Sequence, residues 1–546
     1  MRNKSSNNYL IAILIISFLF IFLNLGNRTI SGDESLTTVV SQTILENGYP
    51  SALYDNNQLI IAKEGAYANV FGKEVYAWNP WMQEYITALS LKLFGMNEFM
   101  LRFPFALFGF LTIILFYFFA KKLTNNNEIS LLSTLILATS VPFLLHIRQV
   151  RWYPLVMFFS LALLYSYLML LKKEKNALLY FTLSSIFLFH SNFFIFVSLF
   201  LGLAMHFIFF FKEENKKDKI KIMRSVIIPL LVVLLFTAPW FYLTQMSKAT
   251  YLKLNLMASI VNLLISIYYI FIYMFPFIFL CAIPFVLKKT DKLKDIKKSY
   301  LLIFIVIITY LIILSLKIDA LPGMRSLIFL MPLFSLLSGI IIYGIKEKRK
   351  LIAYLLLILL ILTNFLHIFP FIFFKGIALN TMNSFYGADS PSYNKLSLYE
   401  KQNFINNTLK TRYFFFDHIY EITHNYESSD KLIVDYMKKE GNKNDTFIAS
   451  SSQNTILIYT AMERTDFNAS NFDKDKIDWI IIRGFKVRGD KEEKFVDLVN
   501  EKINLSNYEN ITINSLEERW ADAPDPANHR FNTDKSGTIT IYHLKK

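Results

Sequence analysis

A single cysteine, Cys281, in 546 residues excludes a disulfide within the chain and any thiolate metal cluster. Charge is scarce too, at 18% of residues. No GxGxxG or GxxxxGK stands in the polar C-terminal part, so nucleotide binding has no support there. No repeat of fixed period stands out either. What fills the chain is apolar: 54% hydrophobic residues, with 53 Phe and a mean hydropathy of +0.37, the composition of a polytopic membrane protein.

Apolar runs long enough, or nearly so, to cross a hydrocarbon core of about 30 Å lie near 9–25, 101–120, 129–145, 154–171, 176–189, 193–211, 225–243, 258–287, 300–316, 326–345 and 351–374. The first follows Arg2 and Lys4 and is read as a retained helix rather than a cleaved signal, because no convincing small-x-small site follows it. Placing residues 1–8, 121–128, 172–175, 212–224, 288–299 and 346–350 on the cytoplasmic side puts about 23 Lys and Arg in roughly 50 residues there. The short loops opposite hold about six in roughly 34. The formal charge of +15 therefore needs no nucleic-acid partner, since basic cytoplasmic loops are what topology asks for. The expected location is the plasma (inner) membrane, with the N-terminus cytoplasmic and two large segments outside: residues 26–100, and the tail from about 375.

In the first of these segments, "EYITALSLKLFG" spaces its apolar residues as an interfacial helix does. The tail turns to soluble composition and mixes helix-like with strand-like segments, including "SDKLIVDYMKKEG", "NTILIYTAM", "DWIIIRG" and "GTITIYHL". That pattern predicts a small α/β domain with a partly parallel sheet.

Ionisable groups are costly at membrane depth, so their recurrence at one face is informative. Asp33 and Glu34 follow the first run. His146, Arg148, Arg151 and Tyr153 lie in "LLHIRQVRWYPL", His190 in "FLFHSNFF", Arg325 in "LPGMRSLIFLMP", and Trp78 and Trp81 in "WNPW". On the map above, all fall on the non-cytoplasmic side. Arginines there run against the positive-inside tendency, and their fixed, permanently charged donors suit a lipid phosphate. A nearby carboxylate would serve as general base toward a hydroxyl. Taken singly, each residue also has a plain structural role: a solvated turn, a snorkelling arginine, an interface histidine, an aromatic belt.

The order of these motifs resembles the GT-C class of membrane glycosyltransferases, in the branch of protein O-mannosyltransferases and aminoarabinose transferases (the family 39/83 type). The carrying features are "GDES" after the first run, Asn79-Pro80-Trp81, an interfacial helix ending in Phe94-Gly95, Arg102-Phe103-Pro104 opening the next run, "HIRQVRWYPL" and "GMRSLIFLMPLFSLLSG". "AWN" stands before Pro80 where relatives often carry Lys or Glu, and no "WWDYG" of the oligosaccharyltransferases is present.

The resemblance implies a mainly α fold: a GT-C-like domain of about 11 transmembrane helices over 1–375, then an extracytoplasmic α/β domain over 376–546. It also implies inverting transfer of one sugar from a polyprenyl-phosphate donor to a lipid, glycan or protein hydroxyl. Asp33 would be the base and Glu34 an acceptor-positioning or base-supporting group. Arg148, Arg151 and Arg325 would bind the donor phosphate, with His146, Tyr153, His190, Trp78 and Trp81 as pocket wall. No redox or nucleotide cofactor is expected, while Asp33, Glu34 and a histidine offer ligands to a divalent metal. The competing readings are a transporter or flippase of lipid-linked sugars and a non-catalytic envelope assembly protein.

Overall fold

The structure, a computed structural model, describes residues 2–54, 58–60, 66–210, 216–244, 255–287, 296–316, 323–373, 409–425, 427–467, 476–483, 490–516, 529 and 536–545. The expected domain boundary at 375/376 lies outside these described residues.

The chain opens with α1 (Arg2–Phe22) and α2 (Gly32–Asn47). Two short antiparallel pairs follow, β1 (Leu53–Tyr54) with β2 (Gln58–Leu59) and β3 (Tyr67–Val70) with β4 (Lys73–Tyr76), and then α3 (Met82–Phe94). The bundle continues with α4 (Glu98–Thr124), α5 (Asn127–Ala138), α6 (Val141–Ile147), α7 (Tyr153–Leu171), α8 (Ala177–Ser191), α9 (Phe193–Phe210) and α10 (Lys216–Leu243). It ends with α11 (Leu256–Tyr273), α12 (Ile278–Leu287), α13 (Ile296–Ser315), α14 (Met324–Leu327), α15 (Met331–Lys346), α16 (Lys350–Leu362) and α17 (Phe365–Phe373).

Among the described residues, α4, α7, α11 and the α14–α15 unit are long and apolar enough to cross a membrane. Two bent pairs join them: α5 with α6 at 63°, and α16 with α17 at 89°. Adding the shorter apolar helices 7–22, 177–191, 193–209, 227–243 and 301–315 accounts for each of the eleven apolar runs. The breaks fall at Thr139-Ser140 and Thr363-Asn364, whose side chains offer the freed backbone other partners: the Thr139 hydroxyl donates to the Leu135 carbonyl and the Thr363 hydroxyl accepts the Phe365 N–H. Large apolar side chains such as Ile11, Phe118, Leu179, Leu235 and Phe304 point outward on these helices, as they do where the surrounding medium is lipid.

Helix α3 is inverted relative to a surface helix in water. Gln83, Glu84, Thr87 and Ser90 are buried, while Tyr85, Leu89, Leu93 and Phe94 are exposed. The buried polar face lies against α2, which contributes buried Glu34, Thr37, Thr38 and Ser41. The outward row at 85, 89 and 93 repeats every four residues, as a helix lying in a lipid interface requires. The helix expected here is present, with its apolar row facing outward.

The tail begins with α18 (Phe414–Thr423) and α19 (Ser429–Glu440), then β5 (Thr446–Ala449), α20 (Gln453–Thr460), β6 (Glu463–Arg464), β7 (Trp479–Ile482), α21 (Asp490–Lys502), β8 (Tyr508–Leu516) and β9 (Ser536–Leu544). Its five-stranded sheet has the order β6-β5-β7-β9-β8, parallel among the first three and antiparallel beyond β7. This is the mixed sheet that the alternation of segments predicts. Trp479 and Phe447 fill its core, both fully buried.

Candidate active site

Asp33 and Glu34 open α2. Gly32 before them has φ of +54°, a region open to glycine without a Cβ penalty, and there the chain leaving α1 turns into the helix. Adjacent helical residues diverge by about 100°, so the two carboxylates go to different places. Asp33 has a side chain 46% exposed, whereas that of Glu34 is 6% exposed.

Glu34 is enclosed. Arg102 donates to it twice, from Nε to Oε1 at 3.0 Å and from Nη2 to Oε2 at 2.6 Å. The Val150 backbone N–H donates to Oε1 at 2.8 Å. The remaining Arg102 donors reach the carbonyls of Leu25, Arg28 and Thr29 at 3.2, 2.6 and 3.3 Å. One bidentate ion pair thus ties α4, the α1–α2 linker and the α6–α7 loop together.

Asp33 faces two arginines instead. Its Oδ2 lies 3.3 Å from Arg151 Nη2 and 3.0 Å from Arg325 Nη1. Arg151 is buried and fixed, because its Nη1 also donates to the Asp33 carbonyl at 3.0 Å and to Thr37 Oγ1 at 3.1 Å. Arg325 is held by this ion pair with its side chain 56% exposed. The Arg151 guanidinium lies 5.9 Å from the centre of the Tyr153 ring, and His146 meets the Tyr153 ring edge-on at 5.0 Å between centroids. Burial pulls the Arg151 pKa down, but Asp33, Tyr153 and Tyr76 outweigh it and the net shift is upward.

Comparison with known proteins bears on this arrangement. Residues 79–242 match the family model described as dolichyl-phosphate-mannose-protein mannosyltransferase. An uncharacterized protein of Aquifex aeolicus (strain VF5) is 35% identical over 98 residues, which is 18% of this chain, and the chain spans 20% of that relative's length. ArnT from Cupriavidus metallidurans bound to undecaprenyl phosphate aligns over 98% of both chains at 9% identity with a TM-score of 0.49. The apo state of ArnT aligns over 98% of both chains at 9% identity with a TM-score of 0.51.

The fold is like that of ArnT.

Within this fold, Asp33, Arg151, Arg325, Tyr153 and His146 come together. Arg148 does not join them. Its Nη1 donates to the carbonyls of Phe20, Ile21 and Leu23 at 3.0, 2.7 and 3.0 Å, and its Nη2 to Asn24 at 3.2 Å. It closes the C-terminus of α1, where cations are favoured, so the expected phosphate ligand is a helix cap. Glu34 has both oxygens engaged, which leaves the base-supporting half of its expected role and not the acceptor-positioning half.

His190 places Nε2 3.0 Å from the Phe236 carbonyl and stands beside Phe189. Trp81 donates from Nε1 to the Tyr76 carbonyl at 2.7 Å and meets Trp240 edge-on at 6.4 Å. Trp78 is half-buried against the main core. These three build walls and junctions of the bundle. Among the described residues, no three His, Cys, Asp or Glu side chains gather as a metal-binding group.

Two residues without a role in the sequence reading belong here. Arg102, within an otherwise apolar helix, had the signal of a lone charge at membrane depth. Glu84 had none, because a Glu in an interfacial helix reads as a solvated surface charge. It is fully buried, takes a hydrogen bond from Gln83 Nε2 at 2.6 Å, and leaves Oε2 without a partner. Burial pushes its carboxyl up to about 7, partly offset by Gln83 and by Arg151. Burial, then Glu84, raise the phenol of Tyr76 in turn.

A raised carboxyl pKa means the folded state binds the proton more tightly than the unfolded one, so stability falls as pH rises from about 4.5 to about 7. Glu84→Gln removes this dependence. The variant is expected to gain apparent Tm relative to wild type on going from pH 5 to pH 8, corresponding to about 3 kcal/mol. Melting curves in detergent at both pH values check this; a difference that stays constant with pH contradicts it.

Proposed function

We propose that the protein is an inverting glycosyltransferase that moves one sugar from a polyprenyl-phosphate donor to a hydroxyl of a lipid, glycan or protein at the extracytoplasmic face of the plasma membrane. The observation that carries this reading is Asp33: a half-exposed carboxylate held between a buried arginine and an exposed one. The match of residues 79–242 to the dolichyl-phosphate-mannose family supports a lipid-phosphate donor. The basic loops assigned to the cytoplasm support the orientation.

The chemistry follows from the placement. The acceptor oxygen attacks the anomeric carbon from the side opposite the phosphate, and Asp33 takes the hydroxyl proton as the new C–O bond forms. The bond from the anomeric carbon to the phosphate oxygen breaks, and its electron pair leaves with the polyprenyl phosphate. Because a hydroxyl holds its proton far more tightly than a carboxylate does, proton transfer and phosphate departure run in concert. Arg325 is half free in solvent and can turn its donors to the departing phosphate, while Arg151 remains fixed beside the base. This route uses the chain's own residues and no cofactor.

Purified protein incubated with a panel of polyprenyl-phosphate sugars is expected to release polyprenyl phosphate from one of them. If folded protein binds a donor tightly and leaves every donor intact, the assignment falls and a transporter or assembly role takes its place.

A further inference from the structure

The C-terminal domain touches the membrane domain at several places, and one of them is the Asn24–Ile30 linker that leads to Asp33. Asn24 and Asn27 donate from Nδ2 to the His424 carbonyl at 3.0 and 2.8 Å. Arg28 pairs with Glu421 at 3.2 Å, and His529 lies 2.8 Å from the same carboxylate. Burial alone would raise the Glu421 pKa, but Arg28 and His529 hold it below the usual carboxylate range. The hydroxyls of Thr29 and Ser428 meet at 2.9 Å. Closest to the site, Tyr459 on α20 accepts the Ile30 backbone N–H at 3.0 Å and donates its own proton to Glu98 Oε1 at 2.8 Å. Glu98 stands one helical turn before Arg102 on α4, and Arg102 holds Glu34.

The Tyr459 phenol thus joins three elements whose relative placement decides where Asp33 sits: the linker, the first turn of α4 and, through packing of α20 on α2, the helix that carries the acids. A backbone N–H three residues before Asp33 is fixed by a side chain 429 positions away in sequence. The sequence gives α20 no reason to reach there on its own account, since "NTILIYTAM" has apolar residues enough to close a domain core without a buried hydroxyl at its end. Among the described residues, both hydrogen bonds of the phenol cross the interface.

From this we infer that Tyr459 is a positioning residue for the transfer reaction, acting through Ile30 and Glu98 to hold Asp33 at the distance from the acceptor that proton removal needs, so that the C-terminal domain is a working part of the active site. The inference rests on the glycosyl-transfer reading above. Small displacements of a base are expensive: about 1 Å can lower a rate by about 10²-fold.

Tyr459→Phe keeps the ring and its packing while deleting both bonds. In the full-length protein, with the donor identified by the panel, its kcat per donor-binding site is expected to fall by about 10-fold or more, with donor KM unchanged. Counting donor-binding sites removes any effect of a smaller folded fraction, which a merely structural role would produce. Glu98→Gln, which still accepts the phenol's hydrogen bond, is expected to retain most of the wild-type kcat, whereas Glu98→Leu is expected to match Tyr459→Phe. Wild-type kcat per site in Tyr459→Phe overturns the inference, and so does a loss confined to donor KM. If wild type itself releases no polyprenyl phosphate, the glycosyltransferase reading fails instead, so the two failures are told apart.

Discussion

Asp33→Asn is expected to lower sugar transfer by about 10²–10⁴-fold while donor binding survives. The amide keeps the size of the side chain and an oxygen for Arg151 and Arg325 to meet, so the loss falls on proton removal. It does not fall on the fold, because Asp33 is half exposed and its ion pairs are partly screened by solvent. Donor binding measured beside turnover separates the readings. Retained binding with lost transfer fits a base. Normal release of polyprenyl phosphate from the variant removes Asp33 from that role, and loss of donor movement across vesicles without any sugar transfer in wild type points to transport.

The second large effect is structural. Arg102→Met removes the side chain paired with buried Glu34 and also strands three linker carbonyls. Breaking a buried ion pair from one side destabilises by about 3–5 kcal/mol, because the surviving charge remains out of water. A large fall in apparent Tm in detergent is therefore expected. The double variant Glu34→Leu with Arg102→Met places apolar volume where both charges stood, and it is expected to recover a good part of the loss. Unchanged melting of the single variant would show that Glu34 reaches solvent or another partner, contrary to the enclosure described above.

The apolar runs were legible in the sequence because a bilayer imposes one demand on every crossing segment, a length of hydrophobic residues, and each run carries it openly. The same holds for α3, whose four-residue apolar repeat survives whichever way the helix faces. Which face turned inward was not legible: Glu84 and Gln83 look like the wet side of an amphipathic helix, and only the polar surface of α2 opposite them makes burial tolerable. Arg148 and Arg151 were indistinguishable as letters three residues apart. One turns to the end of α1 and the other to Asp33, a choice made by the loop between α6 and α7 and by partners more than 100 residues away. Glu34 likewise shares its motif with Asp33, yet the helical turn between neighbours sends it to Arg102. Contacts of the C-terminal domain with the α1–α2 linker left no local trace, since hydrogen bonds to backbone carbonyls and amides constrain few side-chain identities.

The clasp on residues 24–30 has a consequence for biosynthesis. A ribosome that has made the first 373 residues has already delivered the apolar helices described above and both acids, but none of His424, Ser428 or Tyr459. The helices up to residue 373 can therefore be laid down while the segment before Asp33 still lacks these partners, and its final placement waits until residues 424–459 have been made and have folded back onto it.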